Sequence, residues 1–174
     1  MYPYSKAIAD ELRMVRLVHR LSLRALDEHC AALRPGTKRT WATWATWDHG
    51  DQYILESTNE ALNRVVDSAV GCAYINVRTR LTVKDMRAHR AELLRRMEEH
   101  FGFKAADLPG WHAVQDVTRD ANATKHRAGL HFGDAGDGGV ALAGAVALFR
   151  PDVTRRVYHV GRWVRALGRT LDLP

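Results

Sequence analysis

The densest group of chemically active side chains in the sequence lies in the segment 117–132, VTRDANATKHRAGLHF. On a helix, Arg119, Asn122 and His126 share one face, because offsets of three and seven residues return to the same side. That face presents a fixed cation, an amide and an imidazole. An imidazole moves protons near neutral pH, and a guanidinium stabilises negative charge that grows on a phosphorus centre. The spacing therefore places on one helix face the groups needed to cleave RNA without a metal ion.

The string RDANATKH, residues 119–126, resembles the Arg-x(4–6)-His signature of HEPN domains (higher eukaryotes and prokaryotes nucleotide-binding). Four Arg–His pairs have the required spacing: Arg13/His19, Arg24/His29, Arg95/His100 and Arg119/His126. Only the last has an Asn, Asp or His directly after the arginine, and only it lies in the longer string RDxxNAxKH. That longer string is similar to one found in small bacterial and phage HEPN-like proteins with an all-helical layout. The resemblance covers about residues 4–131.

The resemblance implies a metal-independent endoribonuclease that leaves a 2′,3′-cyclic phosphate, often a homodimer in which two motifs meet. It implies that Arg119 binds the phosphate and that His126 is the general acid and base. Asp120 would position one of them, where an asparagine is more usual. The side chains expected to contact the RNA substrate are Asn122, Lys125 and Arg127. The implied setting is toxin–antitoxin or anti-phage defence, with an antitoxin or defence-complex protein as a partner.

Two other interpretations of this segment stay open. The family includes members that bind without cutting, so the chain can be a non-catalytic subunit that docks on nucleic acid or on a partner protein. Alternatively, Arg119, Asp120 and Asn122 form a buried polar network that holds the helix end and does no chemistry. A nuclease needs His126 exposed in a cleft, whereas a scaffold can bury it.

Hydrophobic periodicity predicts an all-α, HEPN-like bundle of four to five helices in a single domain, 1–174. Apolar residues recur at helical spacing, and the first helix has a broad apolar face that includes Val18 and Leu21. The third helix opens at Thr82, where Asp85 completes a capping box. The expected helices cover 4–33, 51–75, 84–101, a fourth segment that begins at Pro109 and runs to about Arg127, and 152–171. Between the last two, residues 129–149 contain an Asp/Gly turn and predict a short β-hairpin or irregular arm.

Two further features have both a structural and a functional interpretation. Trp41, Trp44 and Trp47 fall along one side of a helical or 3₁₀ segment, either as a lid over the bundle or as a patch that stacks on bases or a partner. The last helix carries basic residues away from its apolar stripe. This basic face is interpreted either as a solvated surface or as a surface that binds phosphates, and membrane-surface binding is a third interpretation. Those residues are Arg155, Arg156, His159, Arg162, Arg165 and Arg169.

Composition and missing motifs limit the remaining functions. The chain has 21 arginines, five lysines and a net formal charge of +6, which favours phosphate and carboxylate partners. No CxxC, HxxxH or HExxH spacing occurs and the Gly-rich run 133–139 lacks the Lys-Ser/Thr of a P-loop, so we expect neither metal nor cofactor. The N-terminus lacks an apolar signal region, no apolar run is long enough for a bilayer, and Cys30 and Cys72 lie far apart. We therefore expect a cytoplasmic protein with no membrane contact.

Overall fold

The computed structural model describes residues 4–32, 41–81, 89–129 and 148–174, and within these four stretches the chain forms a bundle of five α-helices with no strand. A 3₁₀ turn at Arg78–Arg80 follows the second helix, and another at Ala105–Asp107 follows the third. The predicted all-α bundle is confirmed for this part of the chain. Residues 130–147, where the hairpin or arm is predicted, lie outside the described residues. The helices are α1 (Tyr4–Ala32), α2 (Trp41–Val77), α3 (Arg90–Phe101), α4 (Trp111–Gly129) and α5 (Arg150–Thr170).

The long helix α2 is the centre of the bundle, since it contacts each of the other four helices. It begins at Trp41 rather than at the predicted residue 51, so the tryptophan segment and the second helix are one α-helix. The segment 41–50 has no proline to stop the helix. Its one glycine, Gly50, lies where Leu26 of α1 approaches closely. The side chains of 41–47 lie outside the described ones. The largest apolar side chains that α2 buries are Leu55, Leu62, Val66, Val70, Tyr74 and Val77.

Helix α1 packs against α2 and α5 through a narrower face than its sequence suggests. Its buried or half-buried positions that face the core recur at steps of four and three: Tyr4, Ile8, Leu12, Val15 and His19. Val18 and Leu21, predicted on the core face, are 55% and 56% exposed. Two packing partners cover only one stripe of a helix, and these two residues fall outside it. The N-terminal end of the stripe is fixed by the Tyr4 hydroxyl, which donates to the Val164 carbonyl at 3.1 Å.

The third helix starts later than predicted and ends where predicted. Its first helical residue is Arg90, because His89 has extended backbone with ψ of 156°. The prediction of a continuous helix over 84–101 is therefore wrong at its start. Thr82 and Asp85, the predicted capping box, lie outside the described residues. Gly102 ends α3 in the left-handed conformation, with φ of 68°, as its sequence position indicates.

Helix α4 is held closely against α5 at its beginning. Gly110 has φ of +100°, and a Cβ at this position would collide with the backbone carbonyl of His159 on α5. Only glycine fits both the conformation and the approach. Beside this contact, Trp163 of α5 is fully buried and donates its indole N–H to the Ala105 carbonyl at 3.1 Å. The start of α4 therefore has a fixed position relative to α5, which matters for the residues that follow on α4.

Candidate functional site

The predicted motif lies on α4, an unbroken helix from Trp111 to Gly129. The face of α4 that packs on the bundle carries Val114, Val117 and Ala121, all buried. The opposite side leaves Arg119 and Asn122 exposed. Because the helix continues through residue 126, the backbone places Arg119, Asn122 and His126 on one face. The side chains of 123–129, including those of Lys125, His126 and Arg127, lie outside the described ones.

Arg119 is an exposed cation held by two carboxylates. Its side chain is 65% exposed, its Nε donates to Asp120 Oδ1 at 3.0 Å, and its Nη2 lies 3.0 Å from Asp116 Oδ1. The hydrogen bond from Arg119 to Asp120 and the charge of that carboxylate, with a smaller contribution from Asp116, raise the pKa of Arg119. The guanidinium is therefore a permanent charge at the surface, and two carboxylates of the same helix hold its position.

Asp120 is the buried centre of this arrangement, with only 3% of its side chain exposed. Its Oδ2 lies 2.7 Å from Nη1 of Arg156 on α5, a side chain that is 12% exposed. Arg156 Nη1 also donates to Asn59 Oδ1 on α2 at 3.0 Å, and Asn59 Nδ2 donates to the Val117 carbonyl at 3.1 Å. One carboxylate thus connects an exposed arginine to a buried polar network that joins α2, α4 and α5.

This geometry combines two of the interpretations of the motif. A buried polar network does hold α4, but of the three residues assigned to it only Asp120 is buried. Arg119 and Asn122 are exposed, since they lie on the side of α4 away from the core. The other members of the network are Asn59 and Arg156, which the sequence pattern did not indicate. The network therefore fixes the helix and leaves Arg119 and Asn122 at the surface.

A second arginine anchors α4 near the same place. Arg90, the first residue of α3, donates to Asn63 Oδ1 at 2.9 Å and to Asp67 Oδ1 at 2.8 Å on α2. Its Nη2 donates to Thr118 Oγ1 at 2.8 Å, directly before Arg119. Since Arg90 and Arg156 bind different residues of α2, helix α4 is fixed by polar contacts at two levels.

The other Arg–His pairs with the same spacing have different surroundings. Arg95 on α3 is exposed and paired with Glu92 and Glu99, and the His100 ring lies edge-on to Phe101 with centroids 4.8 Å apart. On α1, both ring nitrogens of His19 are engaged, Nδ1 with Thr58 Oγ1 at 3.0 Å and Nε2 with Thr154 Oγ1 at 3.2 Å. Burial, with the Arg150 charge acting in the same direction, lowers the pKa of His19.

The basic face predicted for the last helix is divided by the structure. Arg155, Arg162, Arg165 and Arg169 of α5 are exposed, as predicted. Arg156 is not part of that face, because it turns inward to Asp120 and Asn59. His159 is half-buried, with its ring centroid 4.7 Å from that of His112 on α4. Burial, then the charges of His112, Arg162 and Arg155, lower the pKa of His159.

The residues that sequence reasoning missed are Asp116, Asn59 and Arg156. Asp116 lies three residues before Arg119, so the helical offset alone could have indicated the pair. No such signal exists for Arg156, which contacts Asp120 from α5, or for Asn59, which contacts Arg156 from α2, because both are far away in sequence. The sequence does not distinguish Arg156 from the solvated arginines beside it on α5. Its contact with a buried carboxylate is visible only in the packed structure.

Three further observations bear on function. Among the described residues, no group of three or more His, Cys, Asp or Glu side chains lies close enough together to hold a metal ion. None of the helices described has the combination of length and apolar character required to cross a membrane. In comparisons with known proteins, the chain matches no family model, no curated protein sequence and no solved structure.

Proposed function

We propose that the protein is a metal-independent endoribonuclease of HEPN type, with its site on the exposed face of α4. One observation carries the proposal: Arg119 is exposed and bonded to the buried Asp120, on the same unbroken helix that carries His126. A guanidinium whose position is fixed before substrate arrives can stabilise charge in the transition state without reorganisation. Asp120 is a positioning residue in this proposal, since it contacts Arg119 and Arg156 and is itself buried.

The proposed reaction is transfer of an RNA phosphodiester to its own 2′-hydroxyl. An imidazole takes the proton of the 2′-hydroxyl, whose oxygen attacks phosphorus, and the 5′-oxygen leaves with a proton. The products are a 2′,3′-cyclic phosphate and a 5′-hydroxyl. In this scheme His126 carries the protons and Arg119 stabilises the charge on the phosphoryl oxygens. Asn122, Lys125 and Arg127 contact the substrate on either side.

The spacing on α4 favours a site made from two copies. Seven residues of helix correspond to about 10 Å along the axis, so Arg119 and His126 of one chain are attached about two turns apart. A twofold axis that passes near Asn122 brings Arg119 of one copy toward His126 of the other. The exposed Asn122 lies between the two residues along α4, which supports this arrangement.

The proposed seam is tested by placing like charges on the axis. Asn122→Arg puts two guanidinium groups face to face, and we expect light scattering to show a monomer where the native protein is a dimer. Thr170→Arg, at an exposed position at the end of α5, is the matched control and leaves the dimer intact. A native monomer, or a dimer that survives Asn122→Arg, contradicts the composite site.

Cleavage itself is tested with labelled single-stranded RNA in the presence of EDTA. We expect His126→Ala to lower the cleavage rate by about 10²–10⁴-fold, the usual contribution of a positioned proton-transfer group. Arg119→Ala loses a comparable factor, because charge stabilisation disappears. Arg95→Ala and His100→Ala, the pair with the same spacing on α3, are the controls and keep the native rate. Activity that survives His126→Ala, or that EDTA abolishes, would falsify the assignment.

A second function is favoured by the carboxylates beside the arginine. Asp116 and Asp120 balance the charges of Arg119 and Arg156, which weakens the attraction of this face for a phosphate. The alternative is a non-catalytic HEPN-like subunit that binds nucleic acid or a partner protein. This alternative predicts that the native protein binds RNA and leaves it intact. Replacement of His126 then makes no difference to the RNA.

A further inference from the structure

A groove of about 690 Å³ runs between α1 and α5, on the side of α5 that faces away from Asp120. Arginines line it from both helices, although these helices lie at opposite ends of the sequence. An exposed tyrosine, Tyr158, lies on its α5 wall, and the buried His19 and the apolar Leu12 and Val157 form its deeper part. The lining arginines are Arg13, Arg16, Arg20 and Arg165.

The charge of this groove is not balanced locally. No Asp or Glu is among its lining residues. Arg13 is paired with Asp10 at 3.2 Å, but Arg16, Arg20 and Arg165 form no ion pair within the described parts of the chain. All four arginines are exposed. A concave surface that is lined by positive charges concentrates their electric field and attracts anions.

The arginines form a row rather than a cup. Arg13, Arg16 and Arg20 follow at steps of three and four on α1, so they extend over about 10 Å of helix. A single phosphate or carboxylate cannot reach all of them, whereas successive phosphates of a strand can. Arg165 faces the row from α5. The length of the row therefore favours a polyanion over a small ion.

Tyr158 gives the groove a second element of recognition. Its side chain is 60% exposed, and the His159 ring lies edge-on to it with centroids 5.4 Å apart. An exposed ring beside a row of cations can stack on a base while the cations follow the backbone. The two elements together are those of proteins that bind single strands.

The interior of the groove contains a buried histidine, His19, whose two ring nitrogens contact threonine hydroxyls. Thr58 donates its hydroxyl proton to the Ile54 carbonyl at 2.8 Å, so its oxygen accepts from Nδ1–H of His19. Nε2 of His19 lies 3.2 Å from the Thr154 hydroxyl oxygen. Burial lowers the pKa of His19, which favours its neutral form. The groove thus has cationic walls above a neutral, partly apolar interior, which suits a strand with charged backbone and aromatic bases.

We propose that the α1/α5 groove binds a single strand of nucleic acid, with its phosphates along the four arginines and a base on Tyr158. This site is separate from the motif on α4, because it uses α1 and the other side of α5. It holds whether or not the α4 site cleaves RNA. Mononucleotides and duplexes are expected to bind weakly, the first because they meet too few arginines and the second because their bases are not free to stack.

The test uses a fluorescent single-stranded DNA oligonucleotide of about 12 nucleotides, a length within the range of single-strand sites. DNA lacks the 2′-hydroxyl, so cleavage does not interfere. In the combined variant Arg16→Ala, Arg20→Ala and Arg165→Ala, we expect the slope of log affinity against log salt to fall by about 2, since each lost phosphate contact removes about 0.7. Tyr158→Ala should weaken binding by roughly 5- to 150-fold, as loss of one stacked base does, and Tyr158→Phe should retain it.

The matched control replaces Arg64, Arg80 and Arg95 with alanine, three exposed arginines outside the groove, of which Arg64 and Arg95 are paired with glutamates. It carries the same loss of net charge and should keep the native salt slope. An equal effect of the two triple variants would show attraction by net charge alone and overturn the proposal. Equal affinity for a duplex or for a mononucleotide would also overturn it.

Discussion

The two sides of α5 both carry arginines, but they differ in what surrounds the charge. On the α4 side, Arg156 is buried against Asp120 and Asn59, and Arg119 is bonded to Asp116 and Asp120. On the α1 side, the lining of the groove contains four arginines and no carboxylate. The same residue type therefore fixes a helix in one region and presents free charge in the other. A net charge of +6 does not distinguish the two, because partners decide what an arginine does.

The largest effect expected from this comparison is on stability at Asp120. Asp120→Asn keeps the shape but removes the charge that faces Arg156, and leaves a nearly buried cation without its carboxylate. Removing one member of a buried ion pair costs about 3–5 kcal/mol. We expect the free energy of unfolding, from urea titration, to fall by that amount. Asp10→Asn, which removes the exposed partner of Arg13, is the matched substitution and should cost less than about 1 kcal/mol. Similar costs for both would remove the difference between the two regions.

A double-mutant cycle measures the Asp120–Arg156 contact more specifically. Arg156→Gln retains an amide that can reach Asn59 but removes the charge. If the two side chains act as a pair, the loss in the double variant is smaller than the sum of the two single losses, by about 1–3 kcal/mol. Additive losses would mean that Asp120 is stabilised by other contacts, and that the pair does not hold α4 on α5.

The neutral histidine beneath the groove predicts a dependence of stability on pH. Burial lowers the pKa of His19 and, on the α4 side, that of His159. The unfolded chain therefore binds more protons than the folded one below about pH 6.5, the usual histidine value. Stability is complete above that pH and is lost as the pH falls toward the lowered pKa values. Thermal unfolding between pH 7.5 and 5 should show a falling Tm. His19→Gln should make the fall shallower, and His29→Gln, on an exposed part of α1, should not.

Much of the fold was predictable because periodicity records which face of a helix is buried. The apolar stripe of the last predicted helix, from Val153 to Leu171, is buried except for the half-buried Val157, and Gly102 ends α3 as predicted. On α1, the sequence has one broad apolar face, and packing by only two neighbours decided which part of it became core. The start of α3 depended on the extended backbone of His89, for which the sequence has no clear signal.

The candidate site was predictable only along α4. The helical offsets of Arg119, Asn122 and His126 are local, and the backbone bears out that these positions share one helix. The contact of Asp120 with Arg156 joins residues on different helices, and the groove joins α1 to α5 across nearly the whole chain. Such contacts depend on how helices are arranged in space. No spacing rule within one helix contains that information.

The smallest effect is expected at the glutamate-paired Arg95 on α3. Arg95 has two carboxylates within reach, Glu92 and Glu99, but all three are at the surface of one helix. Exposed pairs of this kind contribute little, because water and salt screen them. Arg95→Ala should leave nucleic-acid binding, cleavage and urea unfolding unchanged within experimental error. A clear loss in any of them would show that local pairing is not a reliable guide to function in this protein.

The most direct test of the division between the two regions is single-turnover cleavage of single-stranded RNA in EDTA, measured over a range of protein concentrations. Replacement of Arg16, Arg20 and Arg165 should raise the concentration that gives half-maximal rate and leave the maximal rate unchanged. Arg119→Ala should lower the maximal rate, because it removes charge stabilisation after binding. The account is contradicted if the native protein does not cleave under these conditions. It is equally contradicted if the groove variant lowers the maximal rate while its half-saturating concentration stays native.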